Sequence, residues 1–272
     1  MTTRAPWVTH FGLTATPFGK GGAAADLFAR PSHDEAVARV RFCVAESLAG
    51  VIVGEVGVGK TVALRAATAG LDQTAHQVIY VPDPAVGVRG LYVTIVSALG
   101  AAPRYARAEV MAQAQGLLAA EEQERRRRVV LILDEAHLLS PEQLEAIRLL
   151  TNSEMDSRSP LALVLVGQPT LVRRLRMGVF AALDQRIATR YQLRPMDLAE
   201  SAGYLRHRLA LVGRTGPLFA DDAVARLHKA SLGLPRALDN LARDALIAAA
   251  ADGRALVDDA CARKAVAEAV SE

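Results

Sequence analysis

Eight consecutive residues carry the sharpest chemical signal in the chain. Gly54, Glu55, Val56, Gly57, Val58, Gly59, Lys60 and Thr61 fit the pattern G-x-x-x-x-G-K-[ST]. Glycines at that spacing let successive backbone N–H groups turn inward around a phosphate, and a helix starting at the lysine points its positive end at the same anion. Lys60 supplies a point charge for the outer phosphates of a nucleotide, and Thr61 a hydroxyl for a magnesium ion. Val62 continues the segment into the first helical turn. Chance would produce the pattern in roughly one chain of this length in a hundred. An apolar run, Val51-Ile52-Val53, enters the loop and a helix-compatible segment leaves it, as the chemistry requires. The chain prefers arginine, with lysine only at 20, 60, 229 and 264, so Lys60 stands out against its own background.

A second constellation lies further on. Val129–Leu133 is the most apolar run of the chain and ends in Asp134-Glu135. A strand tip in a parallel sheet opens toward the ligand crevice. There Asp134 is placed to hold magnesium through water, and Glu135 to orient and deprotonate an attacking water. The alternative for such a pair is a helix N-cap. Leu161–Val166 is followed by Gly167-Gln168-Pro169, which makes Gln168 a candidate to contact the γ-phosphate and the water, or else a turn residue. Asp134-Glu135-Ala136-His137 spells a helicase motif, but such helicases need two tandem domains and the chain has room for one. His137 reads as a packed or coupling residue. The pattern implies ATP and Mg2+ as ligands.

These residues need a scaffold. Residues 1–32 hold Pro6, Pro17, Pro31 and a glycine cluster, and read as an extended arm with turns. Ser32–Ala49 has helical periodicity and is expected to stop at Gly50. Strands are expected at Val51–Val53, Val78–Val81, Val129–Leu133 and Leu161–Val166, with Tyr191–Leu193 a candidate fifth. Helices fill Lys60–Gly70 and 90–123, the latter broken near Pro103. Ser140-Pro141-Glu142-Gln143 spells a capped helix start. Strands alternating with helices imply an α/β fold with a mostly parallel sheet. From about Pro195 the pattern is helical only, giving an arm at 1–32, a nucleotide-binding α/β domain at 33–195 and a helical lid domain at 196–272.

Composition narrows the class. Half the residues are apolar but only 4% are aromatic, so the core must be Ala, Val and Leu. Two distant cysteines, Cys43 and Cys261, form neither a disulfide framework nor a zinc spacing. No membrane span or secretory signal is legible, so a cytoplasmic location is expected. Net charge is only +3, yet nine arginines crowd Leu171–Arg214 against Asp184, Asp197 and Glu200. That stretch reads as a phosphate-binding surface or as ordinary solvated charge.

Taken together, the residues resemble the AAA+ ATPases of the ExeA and TniB/TnsC/MuB kind, among which transposition helpers are prominent. The likeness rests on His10-Phe11-Gly12-Leu13 with Pro17-Phe18, the two nucleotide motifs, Gly167-Gln168-Pro169, Gln185-Arg186-Ile187 and Gly233-Leu234-Pro235-Arg236. It implies a five-stranded parallel sheet of order 5-1-4-3-2 with a helical lid. It implies ATP held between subunits of a ring or filament, completed by Arg186 of a neighbour, with Arg190 as runner-up. It implies a second γ-phosphate contact from Arg236, and an adenine cover from Phe11–Phe18 unless those aromatics are core. Secretion ATPases of this kind carry a membrane segment and a wall-binding domain that this sequence lacks, so the resemblance points to transposition. It further implies binding to double-stranded DNA, with Arg89, Arg104 and Arg107 as candidates, and recruitment of a DDE-type transposase. Rival expectations are a secretion-associated ATPase, a replication loader and a non-hydrolysing nucleotide switch.

Overall fold

The computed structural model describes residues 5–19, 26–152 and 159–271. In chain order the elements are α1 (Pro6–His10), α2 (Pro31–Glu46), β1 (Ala49–Val53), α3 (Lys60–Ala69), β2 (His76–Val81), α4 (Gly87–Ala98), α5 (Arg107–Gln123), β3 (Arg128–Leu133) and α6 (Pro141–Leu150). Then come β4 (Leu161–Gly167), α7 (Thr170–Leu175), α8 (Ala181–Asp184), β5 (Ile187–Gln192), α9 (Leu198–Ala210), α10 (Asp221–Ser231), α11 (Pro235–Ala251) and α12 (Asp259–Ser271). By its internal contacts the chain divides into a sheet unit, Pro31–Gly54 with Lys60–Leu193, and a helical unit, Met1–Arg30 with Glu55–Gly59 and Arg194–Glu272.

In the sheet unit the strands run parallel in the order β2-β3-β4-β1-β5, the expected order read from the other edge. The three inner strands are apolar runs because both of their faces are covered: every residue of β1 and β4 is buried, and all of β3 after Arg128. The outer strands β2 and β5 are only partly buried. That explains the displaced fifth strand. It runs Ile187–Gln192 rather than Tyr191–Leu193, because an edge strand needs no apolar run and Ala188, Thr189 and Arg190 conceal it.

The α2–β1 boundary also differs from expectation. The helix ends at Glu46, and Ser47 makes the turn at φ 53°. Gly50 is not a helix stop but the second residue of β1, where a Cβ would lie 2.5 Å from Cys43 Sγ. The α6 start is as spelled: Ser140 accepts from Gln143 N while the Gln143 side chain accepts from Ser140 N.

The helical unit has its own core, in which Leu205, Leu227, Leu238 and Leu246 meet a run of small residues. Ala242, Ala245 and Ala249 of α11 and Ala262 and Ala265 of α12 are fully buried, which lets helices poor in aromatics pack closely. The arm belongs to this core. Phe11 and Phe18 are buried there at 5% and 1% exposure, and Phe18 meets Phe219 edge to face at 6.1 Å between ring centroids. Of the two readings of these aromatics, packing is the one the geometry displays.

Candidate active site

Parallel pairing brings several strand tips to one edge of the sheet unit. Val53 is in register with Gly167, Leu133 with Leu165, and Val81 with Leu133. The residues that follow are therefore neighbours: Gly54 N donates to Gly167 O at 3.2 Å, and Asp134 N to Val81 O at 2.9 Å. Lys60 opens α3 with only 7% of its surface exposed, and its Nζ donates to Gly54 O at 2.9 Å. A buried ammonium resting on a backbone carbonyl is poised to exchange that weak partner for an anion.

Asp134 is the hub. Its Oδ2 accepts from Thr61 Oγ1 at 3.1 Å and from Tyr80 Oη at 2.8 Å, and its Oδ1 from Glu135 N at 2.9 Å. Burial pushes the Tyr80 phenol well above its ordinary range, and its hydrogen bond to Asp134 and the charges of Asp134 and Glu135 push further. The proton therefore stays on Tyr80, which acts as donor. Thr61 and Asp134 offer hard oxygens within hydrogen-bond distance of each other, a donor set that suits magnesium held by a hydroxyl and, through water, a carboxylate.

Glu135 takes a left-handed backbone conformation, φ 49° and ψ 32°, at the start of a short 3-10 turn, Ala136–Leu138. Non-glycine residues rarely adopt it, at a cost of about 1–3 kcal/mol, and such strain concentrates at functional sites. His137 sits beside two predicted site residues. Its Nδ1 is 3.4 Å from Glu135 Oε2 and 3.5 Å from the backbone N of Gln168. The Glu135, His137 and Gln168 positions thus meet around one imidazole. Gly167 permits it, since a Cβ there would lie 3.1 Å from His137 N.

The middle of the loop, Glu55–Gly59, groups with the helical unit. Gly57 and Gly59 have φ of 81° and 102°, values that side chains disfavour. At Gly57 a Cβ would also lie 2.9 Å from Arg236 Cβ, so close approach as well as conformation requires glycine. Val58 N donates to Glu55 O at 3.2 Å, Arg236 N to Gly57 O at 3.3 Å, and Arg30 Nη2 to Val58 O at 2.8 Å. Glu55 and Val56 are exposed and Val62 is half-buried in the first turn of α3. Arg236, second residue of α11, is exposed, and Gly233 (φ 69°) sets its helix start: a Cβ at 233 would overlap Met196 O at 2.0 Å.

The remaining arginines sort themselves by partner. Arg186 is half-buried just before β5 and donates to Thr151 O at 3.3 Å. Arg190 is bound within its own chain, to Asp184 Oδ1 at 2.8 Å and Asp184 O at 2.7 Å. In the same basic stretch Arg174 donates to His137 O and Arg208 to Pro17 O, so part of that charge is internal. Arg125 and Arg127 pair with the buried Glu121, and Arg128 with backbone carbonyls of α2, so these three arginines of the 125–128 run hold the fold. Arg89, Arg104 and Arg107 are exposed, and Arg89 lies over the Tyr105 ring at 5.5 Å.

Sequence reasoning missed two residues with direct hold on this machinery. Arg30 lies at the end of the arm, and no spacing marks it. Tyr80 was legible in principle, as the residue of β2 that alternation turns away from the buried side chains of Ile79 and Val81.

The model of the AAA domain family matches residues 45–175. General secretion pathway protein A of Aeromonas hydrophila is 35% identical over 250 residues, which is 91% of this chain but 45% of that protein. The chain therefore spans less than half the length of the curated relative it matches. Among solved structures, Cdc6p of Pyrobaculum aerophilum superimposes with a TM-score of 0.72 at 19% identity, over 93% of this chain and 70% of that one. The Drosophila ORC bound to DNA gives 0.71 at 16% identity, over 100% and 67%. At these identities the structural likenesses establish the α/β AAA fold with its helical C-terminal part.

Proposed function

We propose that this chain, an AAA fold built around a phosphate-binding loop, hydrolyses ATP to ADP and phosphate and works in a secretion-associated process. The observation that carries the chemistry is the Thr61–Asp134 contact at 3.1 Å, which joins the loop helix to the acidic strand tip. Lys60 and the loop amides hold the β- and γ-phosphates. Glu135 accepts a proton from water as the water oxygen attacks the γ-phosphorus and the bond to the β–γ bridging oxygen breaks. Gln168 orients the water and His137 aligns Glu135 and Gln168; the sequence resemblance adds a γ-phosphate contact from Arg236. Magnesium, when bound by Thr61 and Asp134, offsets charge developing on the phosphate oxygens. Arg186 completes the site of a neighbouring copy. The process is supported by the 35% identity to the Aeromonas secretion protein.

The test is phosphate release by the purified chain with Mg-ATP. Glu135→Gln should still bind ATP while turnover falls by about two orders of magnitude or more. Lys60→Ala should lose binding itself. Equal turnover by wild type and Glu135→Gln would remove the hydrolytic reading and favour a nucleotide switch.

One surface favours a second reading, in which the ATP-bound protein assembles on double-stranded DNA; recruitment of a transposase is what the sequence resemblance adds to it. Residues 84–108 contain three arginines and no acid, and they present Tyr105 at 91% exposure against Arg89. Such a face suits phosphates, and its binding would weaken steeply with salt. ATP-dependent retention of duplex in a gel shift, lost on reversing Arg104 and Arg107, would move the assignment to a DNA-binding role, and the transposase part would need a pull-down of its own. No retention at low salt would leave the secretion-associated one.

A further inference from the structure

A phosphate nest places a demand on its own carbonyls. When successive N–H groups turn in toward an anion, the carbonyls of the same peptides turn out, and each one that is buried needs a donor. In this chain Val58 has no exposed surface, and the outward carbonyl at Val58 is met by a side chain from the arm. Arg30, 3% exposed, donates from Nη2 to Val58 O at 2.8 Å. Its other terminal nitrogen, Nη1, donates to Arg194 O at 2.7 Å. The neighbouring carbonyl, Gly57 O, is met by Arg236 N at 3.3 Å. One buried guanidinium thus joins the middle of the phosphate loop to Arg194, in the segment that leads into α9, all within the helical unit.

We propose that Arg30 is a positioning residue for the phosphate loop. It fixes the Val58 peptide with its carbonyl outward, and so holds the following N–H, that of Gly59, toward the phosphates. A planar fork with two donors a fixed distance apart is what the task requires. A lysine carries its donors on one nitrogen and cannot present them from two separated atoms of a rigid plane. The charge matters too, since a charge-assisted bond to a buried carbonyl is stronger than a neutral one. This inference rests on reading the loop as a nucleotide phosphate site, and it concerns how tightly the loop binds rather than the chemical step.

The experiment titrates the full chain with a fluorescent ATP analogue and with ADP in competition, for wild type, Arg30→Met and Arg30→Lys. Losing a charged hydrogen bond from a buried carbonyl predicts about ten- to a hundredfold weaker binding of both nucleotides. KM for ATP should rise by a similar factor, while kcat at saturation stays within about threefold because Glu135 and Asp134 are untouched. Arg30→Lys keeps the charge and the stem, so it carries the test should Arg30→Met fail to fold. Folded Arg30→Lys or Arg30→Met with wild-type affinity for ATP would overturn the proposal and leave the nucleotide reading intact. A wild type that binds no adenine nucleotide would remove the nucleotide reading itself.

Discussion

At the scale of single residues, burial decides which groups are reactive. Cys43 is 1% exposed, and burial pushes its thiol from an ordinary value of 9.0 up to about 11 against smaller opposing pulls from its backbone hydrogen bond and Arg39. At pH 8 about one molecule in a thousand then carries the thiolate, the reactive form. Cys261 is pushed the same way by burial and by Asp258. Both thiols should label with a disulfide reagent at least about a hundredfold more slowly in the folded protein than in denaturant. A rapid burst of one thiol at pH 8 would contradict this. The neutral Cys43 thiol contributes fully below pH 9 and its contribution is lost as pH rises through about 11, because the unfolded chain releases the proton first. The residue scale is also where the sequence was most informative. The loop and Asp134-Glu135 announce themselves through spacing, whereas Arg30 acts through contacts that no local pattern encodes, and alternation along β2 gives the facing of Tyr80 but not its partner Asp134.

At the scale of elements, β1 and α2 meet at a single missing atom. A Cβ at Gly50 would lie 2.5 Å from Cys43 Sγ and 3.2 Å from Thr189 Cγ2, so the glycine is what admits both neighbours. Gly50→Ala should destabilise the sheet unit by about 1–3 kcal/mol, as overpacking in a dense core does. Cys43→Ala removes the obstructing sulfur, so the double variant should recover much of the loss. Thermal melts of the two single variants and the double variant read this out, and strictly additive losses would refute the contact. The same strand shows why element boundaries were partly illegible. Gly50 resembles a helix stop in sequence, yet its role is packing room inside a strand. The inner strands were readable because burial on both faces demands apolar runs. β5 was not, because its edge position tolerates Thr189 and Arg190. The arm was read as extended, and its short helix α1 and buried Phe18 became visible only in the packed helical core.

At the scale of the whole molecule, the question is whether one copy holds a complete site. Arg190 is occupied by Asp184 of its own chain, whereas the sequence resemblance assigns Arg186 to a neighbour's nucleotide. If so, Lys60 and Arg186 of a working site belong to different copies. Arg186→Ala should then keep wild-type ATP affinity but lose turnover, since a trans arginine contributes about three to five orders of magnitude in related phosphoryl-transfer sites. Lys60→Ala should be inactive for the opposite reason, with its own arginine intact. Mixing the two inactive proteins makes the prediction decisive. An interface formed by an Arg186→Ala copy that binds ATP and a Lys60→Ala copy that donates its arginine is whole. Random mixing at equal concentration makes about a quarter of the interfaces of that kind in a head-to-tail assembly. Phosphate release should therefore reappear at up to about a quarter of the wild-type rate, and only at concentrations where copies associate. No recovery from two folded variants that still associate would place the arginine in the same copy as the nucleotide, and would end the shared-site reading.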